Sequence, residues 1–354
     1  MADVREAIEA VLARLELPDG GNLISRDMIR ALRIEDGAVR FVIEAPSAEM
    51  AQRMEPLRQA AERAAASVDG VRTATAALTA PTAAKAPPQL KVGGHAKPQE
   101  GVMRPAGVKT ILAIGSGKGG VGKSTVSSNL AVALARAGKR VGLLDGDIHG
   151  PSQPRMFGLT DKPESPDGKT ILPLTAHGVT VMSIGSMLAE DKAVVWRGPM
   201  LMGALQQMMM QVDWGTKDVL IVDLPPGTGD VQLSLCQKSD VAGAIVVSTP
   251  QDVALLDARK ALDAFATLDT PVLGLIENMA VFTCPHCGKD SHIFGHGGVV
   301  AEAERLGVPL LAQLPIDLDT RLGGDAGRPV ALGTGIMAEA YARLADRLIQ
   351  GGIV

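Results

Sequence analysis

Val4, Ile8, Val11, Leu12 and Leu15 recur at helical spacing and predict an opening helix that ends near Pro18-Asp19-Gly20-Gly21. Two strand-like runs follow over 28–34 and 38–43, joined through Glu35-Asp36-Gly37 as a hairpin would be. A second helix is expected over 48–67 and a last strand over 71–78, so that residues 1–79 read as a small α+β domain. The pattern lapses over 80–107, where Pro, Ala, Gly and Lys prevail without a sustained apolar period. This stretch reads as a flexible linker, with His95 solvated in it. From 108 onward apolar runs alternate with helical stripes. Strands are expected at 141–145, 179–184, 219–222, 242–248, 272–276 and 310–313, and helices at 124–137, 200–212, 253–268 and 336–350. That alternation predicts an α/β domain over 108–354, a mostly parallel sheet covered by helices on both faces.

Composition sets outer bounds. A chain of 354 residues is long enough for two domains, one with a large core. A formal net charge of −4 gives no general attraction to nucleic acid or anionic lipid, and no apolar run approaches the ~20 residues of a membrane span. The opening MADVREAIEAVLARLE lacks the apolar core of a signal peptide and is too acidic for a transit peptide. Three cysteines, two of them closely spaced, suit a reducing compartment and not a disulfide framework. The expectation is a cytoplasmic protein with neither nucleic acid nor membrane as a partner.

The chemistry starts at 111–124, ILAIGSGKGGVGKS, an apolar strand entering a glycine-rich loop that opens a helix. Gly117, Gly122, Lys123 and Ser124 occupy the fixed places of the phosphate-binding pattern G-x-x-x-x-G-K-[ST]. With Gly119, Gly120, Val121 and Thr125 they form the expected nucleotide cradle, since bare backbone N–H groups must approach phosphate oxygens. Lys123 is placed to reach the β- and γ-phosphates, and the Ser124 hydroxyl to ligate magnesium. Two strand-end carboxylates complete the set. Asp147, in LDGDIHGPS, is the candidate to orient attacking water, with capping of a turn as its plainer role. Asp223 ends the run VLIVD as a magnesium-binding carboxylate, and 225–230, PPGTGD, can change path when a γ-phosphate is lost. A nucleoside triphosphate and Mg2+ are thus the expected ligands.

A second informative stretch runs Glu277-Asn278-Met279 and on to Cys284-Pro285-His286-Cys287-Gly288. Two thiolates two residues apart can grip a metal ion or part of a cluster, yet a four-iron cluster usually takes four. Cys236 lies in an apolar helical setting and reads as inert. Two chains together would supply four thiolates. One chain with His292 and His296 would instead supply a zinc set, and spacing leaves iron–sulfur, zinc and a redox dithiol open. Met200, Met202, Met208, Met209 and Met210 read as adaptable core or contact surface and not as a metal box.

Lys118, directly after the first motif glycine, makes GKGGVGKST resemble the deviant Walker A loop of the nitrogenase iron protein, MinD, ParA and Mrp group. Adding Trp196-Arg197-Gly198-Pro199-Met200, Glu277-Asn278-Met279 and the C-x-x-C pair, residues 108–354 resemble the Mrp-type (ApbC) iron–sulfur cluster carrier ATPases. The α-β-β-α-β order of 1–79 resembles the iron–sulfur assembly domain fused to such ATPases, here without any cysteine. The resemblance implies a P-loop NTPase that hydrolyses ATP as a homodimer, with Lys118 reaching the partner's nucleotide and Asp147 in a γ-phosphate-sensing switch. It also implies that Asn278 recognises adenine, and that Cys284 and Cys287 hold a [4Fe–4S] cluster between two subunits. The cluster would come from scaffold or donor proteins and pass to apo iron–sulfur proteins. A MinD- or ParA-like positioning ATPase is the rival, although the end RLIQGGIV is too short and weakly basic for a membrane-binding helix. A zinc-stabilised regulatory ATPase is the other.

Overall fold

The computed structural model describes residues 2–15, 17, 20–35, 37–46, 48–79, 102–147, 150–187, 198–227 and 229–354. Most of the expected linker, with His95, and also Trp196 and Arg197 lie outside the described residues. The chain divides into two compact units, Met1–Ala86 and Pro87–Val354.

The small unit runs α1 (Ala2–Leu12), β1 (Ile29–Glu35), β2 (Ala38–Glu44), α2 (Ala48–Arg53), α3 (Glu55–Ala66) and β3 (Thr73–Thr79). β2 is central, antiparallel to β1 and parallel to β3. Its alternate residues Val39, Phe41 and Ile43 are buried with Ile8 and Leu12 of α1 and Ala61 and Ala65 of α3. The single helix expected over 48–67 is two. Pro56 lacks an N–H and its ring collides with a preceding turn, so the chain breaks at Met54 and restarts with the proline in the first turn of α3.

The large unit runs β4 (Val108–Gly115), α4 (Lys123–Arg136), β5 (Val141–Asp145), α5 (Gln153–Met156), β6 (Leu174–Ala176), β7 (Val179–Ser183) and α6 (Gly198–Gln211). It continues β8 (Lys217–Asp223), α7 (Asp230–Lys238), β9 (Val241–Ser248), α8 (Asp252–Thr267), β10 (Val272–Thr283), β11 (Asp290–Ser291), α9 (Gly298–Leu306), β12 (Leu310–Ile316), α10 (Leu318–Asp325) and α11 (Ile336–Gln350). One nine-stranded sheet has the order β11-β10-β9-β4-β8-β5-β7-β6, with β12 also on β10. All pairs are parallel except β6 with β7 and β11 with β10.

Successive strand residues serve two cores, as a sheet buried on both faces requires. Ile111 and Ala113 of β4 face the core of α6, α7, α8 and α9, while Leu112 and Ile114 face that of α4 and α11. The expected sandwich of helices over a mostly parallel sheet is therefore present. Met103, placed in the linker by its sequence neighbourhood, is instead buried against the first of these cores, and its N–H donates to the Lys238 carbonyl.

Candidate functional site

β4 ends at Gly115 and α4 opens at Lys123, so 116–122 turns at the carboxyl ends of the strands, where open α/β sheets bind ligands. Two glycines there are sterically required. A Cβ on Gly117 would stand 2.1 Å from the carbonyl carbon of Asp257 in α8. Gly122 has φ +84°, and a Cβ on it would lie 2.2 Å from Asn278 Nδ2. Gly122 also caps α4 without a side-chain bond, leaving the first N–H groups of the helix for an anion. Val121 is buried, Gly119 and Gly120 are exposed, and Ser124 and Thr125 are half-buried at the start of α4. The Gly227 N–H donates to the Ser116 carbonyl at 2.9 Å, tying the loop after β8 to the phosphate loop.

Below the loop the polar groups converge. Lys123 Nζ lies 2.7 Å from Asp223 Oδ1, 3.2 Å from Ser124 Oγ and 4.0 Å from Asp147 Oδ2. Asp223 is fully buried and also accepts from Ser127 Oγ at 3.0 Å and Gln153 Nε2 at 2.9 Å. One cation thus already touches the Ser124 hydroxyl and the Asp223 carboxylate, an all-oxygen pair that fits a hard divalent ion such as magnesium. Asp147 meets Lys123 while its Oδ1 accepts from the Gly150 N–H at 3.3 Å, so it caps a turn as well.

Asp145 was not singled out by sequence. It stands opposite Asp223 in the β5–β8 register and is equally buried. Burial first, and the Asp223 charge second, push its carboxyl up to about 7. Against that pull it accepts from the N–H groups of Asp147, Ser152 and Gln153 and from Ser183 Oγ, each at 3.0–3.1 Å. Asp145 therefore holds the loop that carries Asp147. Gln153 links the same loop to Asp223 and to the Ser124 carbonyl, the latter at 3.0 Å. Asp145-x-Asp147 at a strand end offered a legible signal; Gln153 and Ser127 offered none.

Lys118 does not join this cluster. Its Nζ donates to Gln251 Oε1 at 3.2 Å, just ahead of α8. Asn278 lies on the other side of the loop, and its Nδ2 donates to the Val121 carbonyl at 2.8 Å.

β10 continues past Asn278 to Thr283 and turns back through β11, placing Cys284 and Cys287 in the tip of a hairpin. The Cys284 N–H donates to the Lys289 carbonyl and the Gly288 N–H to the Cys284 carbonyl, both at 2.9 Å. Thr283 Oγ1 closes the base on Asp290 at 2.6 Å. Cys284 is half-buried and Cys287 exposed. The His286 N–H, then the Cys287 N–H, hold the Cys284 thiol below its ordinary range. His292 is turned away, its Nδ1 3.2 Å from the Ala280 carbonyl and its ring 4.2 Å from that of His296. Among the described residues no three His, Cys, Asp or Glu side chains gather closely enough to hold a metal, so Cys284, Cys287, His292 and His296 are not brought together. Cys236 is buried in α7, and burial pushes its thiol up to about 11. Met208 and Met209 are core residues of α6, and Met210 is exposed.

A family model described as "NUBPL iron-transfer P-loop NTPase" matches residues 107–349, and one described as "Iron-sulfur cluster assembly protein" matches residues 5–77. An iron-sulfur cluster carrier protein of Pseudomonas fragi is 52% identical over 64% of this chain and 80% of its own. A protein of the same description from Haemophilus influenzae is 49% identical over 68% of this chain and 66% of its own. Among solved structures, a nucleotide-binding protein of Archaeoglobus fulgidus in complex with ADP superimposes with TM-score 0.57 at 38% identity, over 64% of this chain and 90% of that one. The septum site-determining protein MinD of Pyrococcus horikoshii, complexed with Mg-ADP, gives 0.53 at 24% identity over 69% and 98%, a likeness of fold.

Proposed function

The chain belongs to the NUBPL iron-transfer P-loop NTPase family, and from that premise we propose an ATP-hydrolysing carrier that binds a labile [4Fe–4S] cluster between two copies and passes it to apo-proteins. One observation carries this reading. A single strand, β10, runs from Asn278 on the phosphate loop to Thr283, the residue before Cys284.

Each residue then has a task. The loop N–H groups and Lys123 bind the phosphates, which requires Lys123 to turn from Asp223. Ser124 and Asp223 hold magnesium, which neutralises phosphate charge when bound. Asp147, beside Lys123, orients the water that attacks the γ-phosphorus as ADP leaves. Lys118 reaches the partner's nucleotide. Asn278 recognises adenine while its Nδ2 keeps hold of the Val121 carbonyl. Two chains each offer Cys284 and Cys287, and four thiolates match a four-iron cargo. Scaffold or donor proteins supply the cluster, apo iron–sulfur proteins take it, and the cytoplasm is the compartment proposed.

The positioning-ATPase rival loses ground on α11. Tyr341, Leu344 and Leu348, its apolar face, are buried in the core, so it offers no free amphipathic face to a bilayer. Among the described residues no helix is long and apolar enough to cross one. Among the described residues of one chain no zinc ligand set is assembled. Anaerobic reconstitution with iron and sulfide, followed by metal analysis and an absorption spectrum, tests the reading. About two irons per chain with a broad charge-transfer band support it, as two chains share four irons; one tightly held zinc per chain sinks it.

A further inference from the structure

Lys118 is the second cation of the phosphate loop, and its partner is neutral. Its Nζ donates to Gln251 Oε1 at 3.2 Å, and among the described residues no carboxylate stands within ion-pair reach of it. The contact is built into rigid parts. Ser116 Oγ donates to the Lys118 carbonyl at 3.0 Å and fixes the backbone there. The α8 backbone at Asp257 is pressed so close to Gly117 that a single methyl group would not fit between them. Gln251 occupies the N-cap place of α8, yet its side chain makes no capping bond, leaving the amide for Lys118. Lysine and glutamine thus face each other from a loop and a helix whose backbones are in close contact.

We infer that Gln251 is a positioning residue that parks the Lys118 ammonium on its own chain until a partner's nucleotide claims it. The inference rests on the reading of Lys118 as a lysine that acts across the dimer. A carboxamide presents a dipole and no net charge, so it orients the ammonium and yields to a phosphate. A carboxylate in the same place would compete with the phosphate. The choice of glutamine keeps the lysine ordered and still transferable.

The test uses the full chain with Gln251→Glu and, as a second variant, Gln251→Ala. Three quantities are read at low and high salt: affinity for an ATP analogue, ATP-dependent dimer dissociation constant and kcat. The glutamate holds each lysine in an ion pair worth up to about fivefold, and a dimer must break two, so its dimer should weaken by up to roughly 25-fold. Nucleotide affinity of the single chain should stay within about twofold, and the dimer defect should recede at high salt as the pair is screened. The alanine variant should dimerise at least as well as the natural chain. A merely structural role for Gln251 would produce the same loss in both variants, independent of salt, and that result overturns the inference. Lys118→Ala separates the two levels. If it dimerises and hydrolyses like the natural chain, the cross-dimer reading falls. If it loses both while Gln251→Glu behaves as the natural chain, only the role of Gln251 falls.

Discussion

The Asn278 side chain donates to the Val121 carbonyl at 2.8 Å, fastening β10 to the phosphate loop. The next residue, Met279, has φ +59°, an uncommon value outside glycine, and it falls where the β10–β12 register shifts between Asn278 and Phe282. β10 therefore leaves its regular path at Met279, just past the point where it touches the loop and five residues before Cys284.

That contact makes Asn278→Ala informative. Losing one hydrogen bond to the loop should lower ATP affinity by roughly fivefold, about 1 kcal/mol. A role at adenine adds a second signature, a smaller fall for GTP than for ATP in the same titration. Equal falls for both nucleotides would assign Asn278 to the loop alone.

The two lysines should separate cleanly. Lys123 is buried on Asp223 at the mouth of α4, so Lys123→Ala should abolish productive ATP binding and also leave Asp223 without its ion pair. Lys118 faces away toward Gln251, so Lys118→Ala should keep nucleotide binding and lose hydrolysis and the ATP-dependent dimer. Calorimetric titration together with light scattering reads both effects. Equal loss of nucleotide affinity in both variants would remove the case for a cross-dimer lysine.

Cluster binding should follow the hairpin. Cys284→Ser or Cys287→Ser should each eliminate the reconstituted cluster, while Cys236→Ser, His292→Ala and His296→Ala keep it. Cys236 is sealed in the core and the histidines are turned to Ala280 and to each other. Iron and sulfide analysis of the five variants checks this. Zinc lost on changing either histidine would contradict it.

Glu302 gives a pH-dependent prediction for the scaffold around the hairpin. It is 3% exposed, pairs with Arg305 of its own helix α9 at 2.6 Å and joins α9 to α8 through Arg259 at 2.7 Å. Hydrogen bonds from Arg305 first, then Arg259, hold its carboxyl down to about 2, against 4.5 unperturbed. A depressed carboxyl stabilises the fold above its unfolded value and loses that contribution as pH falls through its folded value. Because both arginines are half exposed, Glu302→Gln should cost only about 1–2 kcal/mol at neutral pH. In urea unfolding the gap between variant and natural chain should shrink to less than about half at roughly pH 3. A gap that does not change with pH would mean that the loss is one of packing.

The strand–loop–helix from β4 to α4 was legible because an apolar period, a glycine cluster and a helix followed one another in sequence. The full length of β10 was not. Its apolar run ends at Ile276, and Glu277 and Asn278 look like a strand's end. Each meets a tertiary partner within the strand, Gln313 Nε2 on Glu277 Oε2 at 2.7 Å and the Val121 carbonyl on the Asn278 amide. Gln153 and Gln251 were invisible for a similar reason. A glutamine announces nothing by pattern, and its importance arises only when folding brings Asp223 or Lys118 against it. Pro56 was the opposite case: the break it makes in the helix expected over 48–67 stood in the sequence itself.

The nucleotide site and the proposed cluster site should act on each other. β10 joins Asn278 to the cysteine hairpin with little slack, and cluster ligands shared by two chains, as proposed, would respond to any change in how the chains sit together. The decisive measurement is cluster transfer from the reconstituted dimer to an apo-acceptor with ATP, with ADP and with no nucleotide, alongside nucleotide affinities of the empty and loaded dimers. Transfer rates should differ between the ATP and ADP states. Cluster and nucleotide should also change each other's affinity by one common factor, within the roughly 5–150-fold range of such couplings. Rates and affinities that stay the same in every state would mean that the ATPase and the cysteine hairpin only share a chain.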